Sequence, residues 1–494
     1  MIEAAISALF IFADPVFLVY LFLGVVVGLA AGVLPGMGGL VGMTLLLPVT
    51  YTIDPTAGLA MLIGVAAVVT TSDTFVSVLM GVPGSAGSQA TVVDGYPLAQ
   101  RGEAARALSA AFAASMAGAL IGAIMLSISL PIGRQIVLSF GSPELFMLSV
   151  FGLCMIGVLS GNTPLKGIGA GALGLLLGTW GAAAITIQNR FTFGSDYLLD
   201  GFSIIIVSLG LYALPEFLDV LARGGALAKK KAELGAGWIQ GLRDVVRHRW
   251  LVVRHSIIGA GIGIVPGLGA SVVDWINYSI VMRLSKDKEK FGSGDIRGVI
   301  APESANNAKE GGAMIPTLLF GVPGSAGMAL LLGAMTVHGL QPGPRMLTNN
   351  LELVFVLVWS LAFGGILGGL ICFMLSSPIA LITRIPFHYL FPWIFALVVI
   401  GAFQTTRHVG DLIALIGFGI LGWLMKRFGY PRAPLLIGFI LSSLVERNLW
   451  ITVSRFGLDW LTRPGVLVLL VLTIAVLASS LYSVFRQNLQ KKAA

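Results

Sequence analysis

Ser85 and Ser325 lie in the same seven-residue string, Gly-Val-Pro-Gly-Ser-Ala-Gly, which occurs letter for letter at 81–87 and 321–327. Proline lacks an N–H and glycine accepts any backbone angle, so Pro-Gly inside an apolar stretch ends a helix. The N–H groups that open the next helix are then left bare, and the helix dipole makes them an anion site. The expected substrate contacts are therefore Pro83, Gly84, Ser85, Ala86 and Gly87 in one copy, and Pro323, Gly324, Ser325, Ala326 and Gly327 in the other. Ahead of the first copy, Thr70-Thr71-Ser72-Asp73-Thr74 interrupts an apolar run. Intramembrane carboxylates are costly and usually functional, so Asp73 is a candidate ligand for a cation or a proton. Ahead of the second copy, Pro302-Glu303-Ser304-Ala305-Asn306-Asn307 supplies side-chain carbonyls suited to Na⁺ or to substrate carboxyls. Thr71, Ser72, Asp73, Asn306 and Asn307 are the candidate cation-coupling set, with a satisfied structural network as the alternative. Asp274, also in an apolar segment, is open to both readings. Lys309 and Arg106 could balance substrate charge, but the default for each is an interfacial anchor.

A second element, Gly-x-x-Pro-Gly-x-Gly, precedes each string, at 32–38 and 263–269. Its Pro35, Gly36, Pro266 and Gly267 are expected to be hinges or helix breaks. The pairs keep their order, offset by 240 residues (81 to 321) and 231 residues (32 to 263). A single Pro-Gly reads as a kink or a small-residue packing seam. Seven identical residues at matched positions of two copies instead point to re-entrant hairpins, whose bare backbone is tolerated in a membrane only where protein or an aqueous cavity covers it. Paired broken helices of this kind mark a transport site between repeats.

The elements that must carry these strings are membrane helices. The 494 residues are 56% hydrophobic and 11% charged, with a mean hydropathy of +0.92, against about 25% charged in a soluble domain. Apolar stretches recur at 16–33, 57–69, 105–130, 145–159, 164–185, 202–218, 251–264, 351–375, 378–403, 412–424, 435–449 and 466–484. That is roughly a dozen crossings, without the alternation of barrel strands. The expected fold is an all-α polytopic membrane protein of two inverted repeats with broken helices and re-entrant hairpins.

Residues 1–100 contain no Lys or Arg, whereas 223–297 hold 13 of the chain's 31. Basic loops near span ends stay cytoplasmic. The polar connection at 223–254 and the basic C-terminus are therefore expected in the cytoplasm. That connection divides the chain into a first repeat, 1–222, and a second, 255–494. The first Pro-Gly element is flanked by Glu3, Asp14 and Asp54, and the second by dense basic residues at 243–254 and 283–290. Equivalent segments thus face opposite sides, which is the argument for inversion. The net charge of +8 is accounted for by topology and calls for no nucleic acid.

Other chemistry finds little support. Gly292-Ser293-Gly294-Asp295 matches the GxGD string of intramembrane aspartyl proteases but sits in a Lys-rich polar loop, without the helix that chemistry needs. There is no GxxxxGK[ST], HExxH or GxSxG string, and the five His never cluster. Cys154 and Cys372 read as buried free thiols. The first span, rather than a cleaved leader, is expected to direct insertion. No cofactor is expected, and the only metal is a Na⁺ site if Na⁺ rather than H⁺ couples.

Together, the stretches 32–38, 83–85, 90–99, 106–108, 291–292, 298–308, 315–316, 321–325 and 338–344 give a specific likeness over nearly the whole chain. It resembles the large membrane subunit, TctA-like, of the tripartite tricarboxylate transporters. The resemblance implies a bacterial inner-membrane carrier driven by a cation gradient. It also implies a small four-span TctB-like subunit and a periplasmic TctC-like solute-binding protein that delivers the substrate. A homodimer is the candidate assembly. Substrates in such systems are mainly di- and tricarboxylates and aromatic acids. The segment 68–74 departs from the Gly-rich stretch of many relatives, so citrate itself does not carry over. The competing class is a membrane receptor or scaffold that keeps the transporter fold. A membrane-embedded enzyme is disfavoured because no nucleophile–base pair or metal set stands out.

Overall fold

A computed structural model describes residues 1–34, 38–159, 163–183, 185–186, 188–223, 234–382 and 391–493. Pro35 and Gly36, expected as a helix break, lie outside the described residues, as does part of the connection at 223–254. The described chain is almost wholly helical, apart from a two-stranded antiparallel ribbon that pairs Gly181–Ala182 with Asn189–Arg190. Among the described residues, 7 helices are long and apolar enough to cross a membrane, and shorter apolar helices accompany them.

Four helices of the first half have counterparts in the second. A flank helix, Pro15–Val33, precedes an arm helix, Pro55–Met80, which is interrupted once at Asp73. The tip string follows, then a return helix, Gln89–Gln100, and a brace helix, Ala104–Leu138. In the second half the flank is Arg249–Gly263, the arm Arg297–Phe320, the return Ala326–Val337 and the brace Leu351–Met374. Local chemistry sets these bounds. Asp14 and Asp54, read above as flanking charge, are N-caps that accept the N–H of Val16 (2.9 Å) and of Thr56 (2.9 Å), each with Pro at the first helical position. Gly81 and Gly321 end the two arms in the same left-handed conformation, both at φ +69°, which glycine alone adopts at no steric cost.

The arms form the centre of the molecule. The first is buried along its whole apolar window, and the second from Gly298 to Leu319. Flanks press on arms through small residues at matched places. A Cβ at Gly28 would lie 2.7 Å from the Val65 carbonyl oxygen, and one at Gly259 2.6 Å from the Cα of Ala305. The braces cross over. Gly118 and Gly122 of the first brace lie on the backbone of Ser304 and Ala308 in the second arm, whereas Gly364 and Gly368 of the second brace lie on Gly64 and Val68 in the first arm. Residue i meets j′ while i′ meets j, which is the mark of a two-fold relation.

Three expectations change. The stretch at 164–185 is helical only for Pro164–Leu177, because the chain then turns into the ribbon. The stretch 202–218 is helical from Ile204 but contains a π-helical turn, Leu209–Ala213. The basic connection also contains a helix, Trp238–Arg247, with Gly241 set against Arg106 and Ser109 of the first brace, and the second flank begins at Arg249.

The Gly292-Ser293-Gly294-Asp295 string proves to be an anion nest. Asp94 Oδ1 accepts the N–H of Gly292 (2.8 Å), Gly294 (2.8 Å) and Asp295 (2.9 Å), and Oδ2 accepts the hydroxyl of Tyr278 (3.0 Å). Partial burial alone would raise the Asp295 carboxyl, but its bonds to the Arg297 guanidinium and N–H hold it below the usual carboxylate range. The loop thus clasps the first return helix. Asp94→Ala strands three N–H donors, so it should lower stability by about 2–4 kcal/mol. This is readable as a fall in the melting temperature of the detergent-solubilised protein; an unchanged transition would show that the clasp is not structural.

Candidate functional site

The two tips share one backbone device. The N–H of Gly84 donates to Ser77 Oγ (3.4 Å), and the N–H of Gly324 donates to Thr317 Oγ1 (3.2 Å). In each case a hydroxyl seven residues upstream ties the tip to its arm. What surrounds the serines differs. Ser85 Oγ–H donates to Asp73 Oδ2, and Ser85 Oγ itself accepts the N–H of Gly87 (3.0 Å). The N–H of Ser85 is taken in turn by Ser88 Oγ (3.2 Å). The second tip has Ala313 where the first has Asp73, since Gly84 lies against Asp73 and Gly324 against Ala313. Ser325 Oγ accepts only the N–H of Met328 (3.2 Å). Among the described residues, no acceptor is found for the N–H groups of Ser325, Ala326 and Gly327.

The first tip is held by the second arm. Asn306 Nδ2 donates to the Gly87 carbonyl (3.0 Å), and Asn307 Nδ2 donates to Thr71 Oγ1 (2.8 Å). Glu303 accepts hydroxyls from Thr91 (2.7 Å) and Ser115 (3.1 Å), and Asp274 accepts the N–H of Ala90 (2.6 Å). Thr71, Asp73, Asn306 and Asn307 are thereby gathered around the junction of first arm and first tip. Ser72 is drawn elsewhere, because its hydroxyl turns to the Gly28 carbonyl of the first flank (3.3 Å). Three buried oxygens of the gathered set, Asp73 Oδ1, Asn306 Oδ1 and Asn307 Oδ1, have no hydrogen-bond partner. Buried acceptors are normally satisfied. Hard amide and carboxylate oxygens of this kind suit a small hard cation.

Both tips open on a cavity of 620 Å³, within the range of about 300–1,000 Å³ typical of small-molecule sites. Gly84, Ser85 and Ala86 of the first tip line it, as do Gly324, Ser325, Ala326 and Gly327 of the second. Gly267 lines it as well, in the break between Gly263 and Ala270, at φ +88°. Pro266 precedes it in that break. Pro83, Gly87 and Pro323 are not on the lining: Pro83 is exposed, Gly87 is buried against Asn306, and Pro323 is buried beside Val322, which packs on Gly152.

Lys309 corrects the anchor reading. It is 6% exposed, paired to Glu310, and both line the cavity; the second arm is covered on every side, so the side chain has no interface to reach. Arg106 lies elsewhere, bonded to Asp244 (2.7 Å) and Glu103 (2.8 Å). The lining also includes Thr70, Tyr212, Glu216 and Arg432, with Arg432 bonded to Glu216 at 2.8 Å. Sequence reading passed over Tyr212, Glu216, Arg432 and Glu310. Glu216 and Arg432 lie at the edges of apolar stretches, where a charge reads as a span boundary, and nothing in the linear order pairs them.

A chain whose described residues are almost wholly helical, with seven helices of span length among them, is an all-α polytopic membrane protein. Its sequence matches the family described as the tripartite tricarboxylate transporter TctA family over residues 18–437, and the chain belongs to that family. It is 34% identical over 439 residues to an uncharacterised 52.8 kDa protein in the TAR-I ttuC′ 3′ region of Agrobacterium vitis, covering 88% of this chain and 86% of that one. An uncharacterised protein in the TAR-II ttuC′ 3′ region of the same organism is 37% identical over 191 residues, 39% of this chain and 79% of that one. No solved structure matches. Membership makes the chain a transporter subunit, and the family implies TctB and TctC partners.

Proposed function

We propose that the chain is the permease subunit of a cation-gradient-driven, binding-protein-dependent carboxylate uptake system of the bacterial inner membrane. The observation that supports this reading is the placing of two identical tips on one cavity, with Ser85 bonded to the Asp73 carboxylate at one and Ser325 facing Ala313 in its place at the other. At the first tip, Asp73, Thr71, Asn306 and Asn307 organise the coupling cation, Na⁺ or H⁺. At the second, the N–H groups of Ser325, Ala326 and Gly327, the Ser325 hydroxyl and Lys309 receive a substrate carboxylate. The tips therefore divide the work, the first serving the cation and the second the anion.

Each return helix has 12 residues, about 18 Å, too short for a hydrocarbon core of about 30 Å. That supports re-entrant hairpins from two inverted repeats, 1–222 and 255–494, with 223–254 and the C-terminus cytoplasmic. The tips and arms move against a fixed scaffold in an elevator-like shift.

The test is uptake by proteoliposomes supplied with the TctB and TctC partners and labelled di- and tricarboxylates under imposed Na⁺ or H⁺ gradients. Accumulation against a concentration gradient is expected; binding without accumulation would favour a receptor that kept the fold. Ser325→Trp fills the anion end and should abolish uptake with insertion intact, and Ser85→Trp should do the same by displacing Asp73. Normal uptake by both variants would remove the tips from the site.

A further inference from the structure

Resting on the carboxylate reading above, we infer that Asp274 is a resident carboxylate, holding at the first tip the kind of site that the substrate takes at the second. Met43, its counterpart, is the residue that leaves the second site to the substrate. A further matched pair of helices carries the two residues. Gly38–Thr50 follows the first Gly-x-x-Pro-Gly-x-Gly element and Ala270–Leu284 follows the second. The offset of 231 residues between those elements (32 to 263) is also the offset from Met43 to Asp274. These helices cross between the halves as the braces do. Asp274 of the second half reaches the first return helix, where its Oδ2 accepts the Ala90 N–H (2.6 Å). Met43 of the first half reaches the second return helix, where its Sδ would lie 3.3 Å from a Cβ placed on Gly327.

The two contacts fall on the same place in their helices. The first return helix begins at Gln89 and the second at Ala326, so Ala90 and Gly327 are each the second residue. N–H groups of that first turn have no partner within their own helix. Asp274 is buried and, among the described residues, has no ion-pair partner. A buried carboxylate without a cation is costly, and the dipole and bare N–H groups of a helix N-terminus offset that cost. Ala326 and Gly327 line the cavity, and among the described residues their N–H groups have no acceptor. Met43 lines the cavity with them, and its thioether is only a weak acceptor. The arms repeat the pattern independently, since Asp73 stands against Gly84 where Ala313 stands against Gly324. At both pairs of places the first tip has the acid and the second an apolar side chain. The protein thus supplies its own anion at one tip, and the pair of tips takes one substrate carboxylate rather than two.

Asp274→Ala leaves a space of formate size on the first return helix. In the full chain held in lipid nanodiscs it should lower the melting temperature, and about 50 mM formate should return roughly half of the loss or more. Chloride at equal ionic strength should return none, and formate should move the wild type less. Met43→Asp is the complementary variant, because an aspartate Oδ and a methionine Sδ lie the same number of bonds from the backbone. Its carboxylate should meet the N–H groups of Ala326 and Gly327, so it should melt no lower than the neutral isostere Met43→Asn. In proteoliposomes it should cut uptake of whichever labelled di- or tricarboxylate the wild type accumulates by about tenfold or more, since two carboxylates then compete for one set of N–H groups. Met43→Leu should transport within about twofold of the wild type. A merely structural Asp274 predicts none of the Met43 effects, and that arm decides alone should Asp274→Ala fold poorly. No formate-specific recovery, Met43→Asp transporting like the wild type, or Met43→Asp melting well below Met43→Asn would overturn the inference while leaving the carboxylate reading standing. If the wild type accumulates no labelled carboxylate, the carboxylate reading fails and this inference with it, whatever formate does.

Discussion

Asp73→Asn should leave the protein folded and inserted while cutting gradient-driven uptake by about a hundredfold or more. The expectation follows from what stands around the carboxylate. One oxygen takes the Ser85 hydroxyl, and the other is buried without a partner, as are the side-chain carbonyl oxygens of Asn306 and Asn307. Asparagine keeps the shape and can still accept from Ser85, so the tip stays seated. It removes the only formal charge among the four gathered residues and puts an N–H₂ where one carboxylate oxygen stood. Losing a charge-assisted interaction of this kind costs about 2–3 kcal/mol, or roughly two decades in a rate or affinity. The measurement is initial uptake against Na⁺ concentration and against pH. Wild-type dependence on both would exclude Asp73 from coupling.

The second large effect is steric, and it should strike both tips alike. A Cβ at Gly84 would lie 2.8 Å from the Asp73 Cβ and 2.9 Å from its Cα; one at Gly324 would lie 2.8 Å from the Ala313 Cα. These are contacts with a helix backbone rather than with the end of a flexible side chain, so neither neighbour can yield. Gly84→Ala and Gly324→Ala should each lift the tip off its arm, break the bond to Ser77 or Thr317, and cost about 1–3 kcal/mol through overpacking. Uptake should be lost at both sites, because the serine and the N–H groups that follow are carried away with the tip. Gly261, in the second flank, has open space around it, so Gly261→Ala serves as the control and should transport normally. Uptake and thermal unfolding of the three variants decide the matter; a fully active Gly324→Ala would show that the tip need not be seated.

Much of the architecture was legible in the chain, for definite reasons. Long apolar stretches have one use, and an exact string repeated at matched positions forces matched backbones, down to the shared φ of Gly81 and Gly321. The second arm was the least visible helix. It carries Glu303, Asn306, Asn307, Lys309 and Glu310, which depress its hydropathy below that of a membrane span, yet it is buried throughout because other helices, not lipid, surround it. The gathering of Asn307 with Thr71 and of Asn306 with Gly87 could be suspected from residue type, but not the departure of Ser72 to Gly28, which depends on the side of the first arm that meets the first flank. The meeting of Tyr212 and Arg432 on the cavity left no trace at all. It depends on 221 residues of separation between Arg432 and Leu211 being closed by the fold, and no local pattern announces it.

The crossing of the braces has a historical consequence. A half-length chain with this architecture would hold an arm whose cover is supplied by the other half, so by itself it would expose a polar, broken helix to lipid. Such a half would need a second, identical subunit to sheathe its arm, and joining the two in one polypeptide makes that pairing permanent. Two identical subunits must carry the same residue at every position. Joined in one polypeptide they need not, and here Asp73 stands on one side where its counterpart is Ala313.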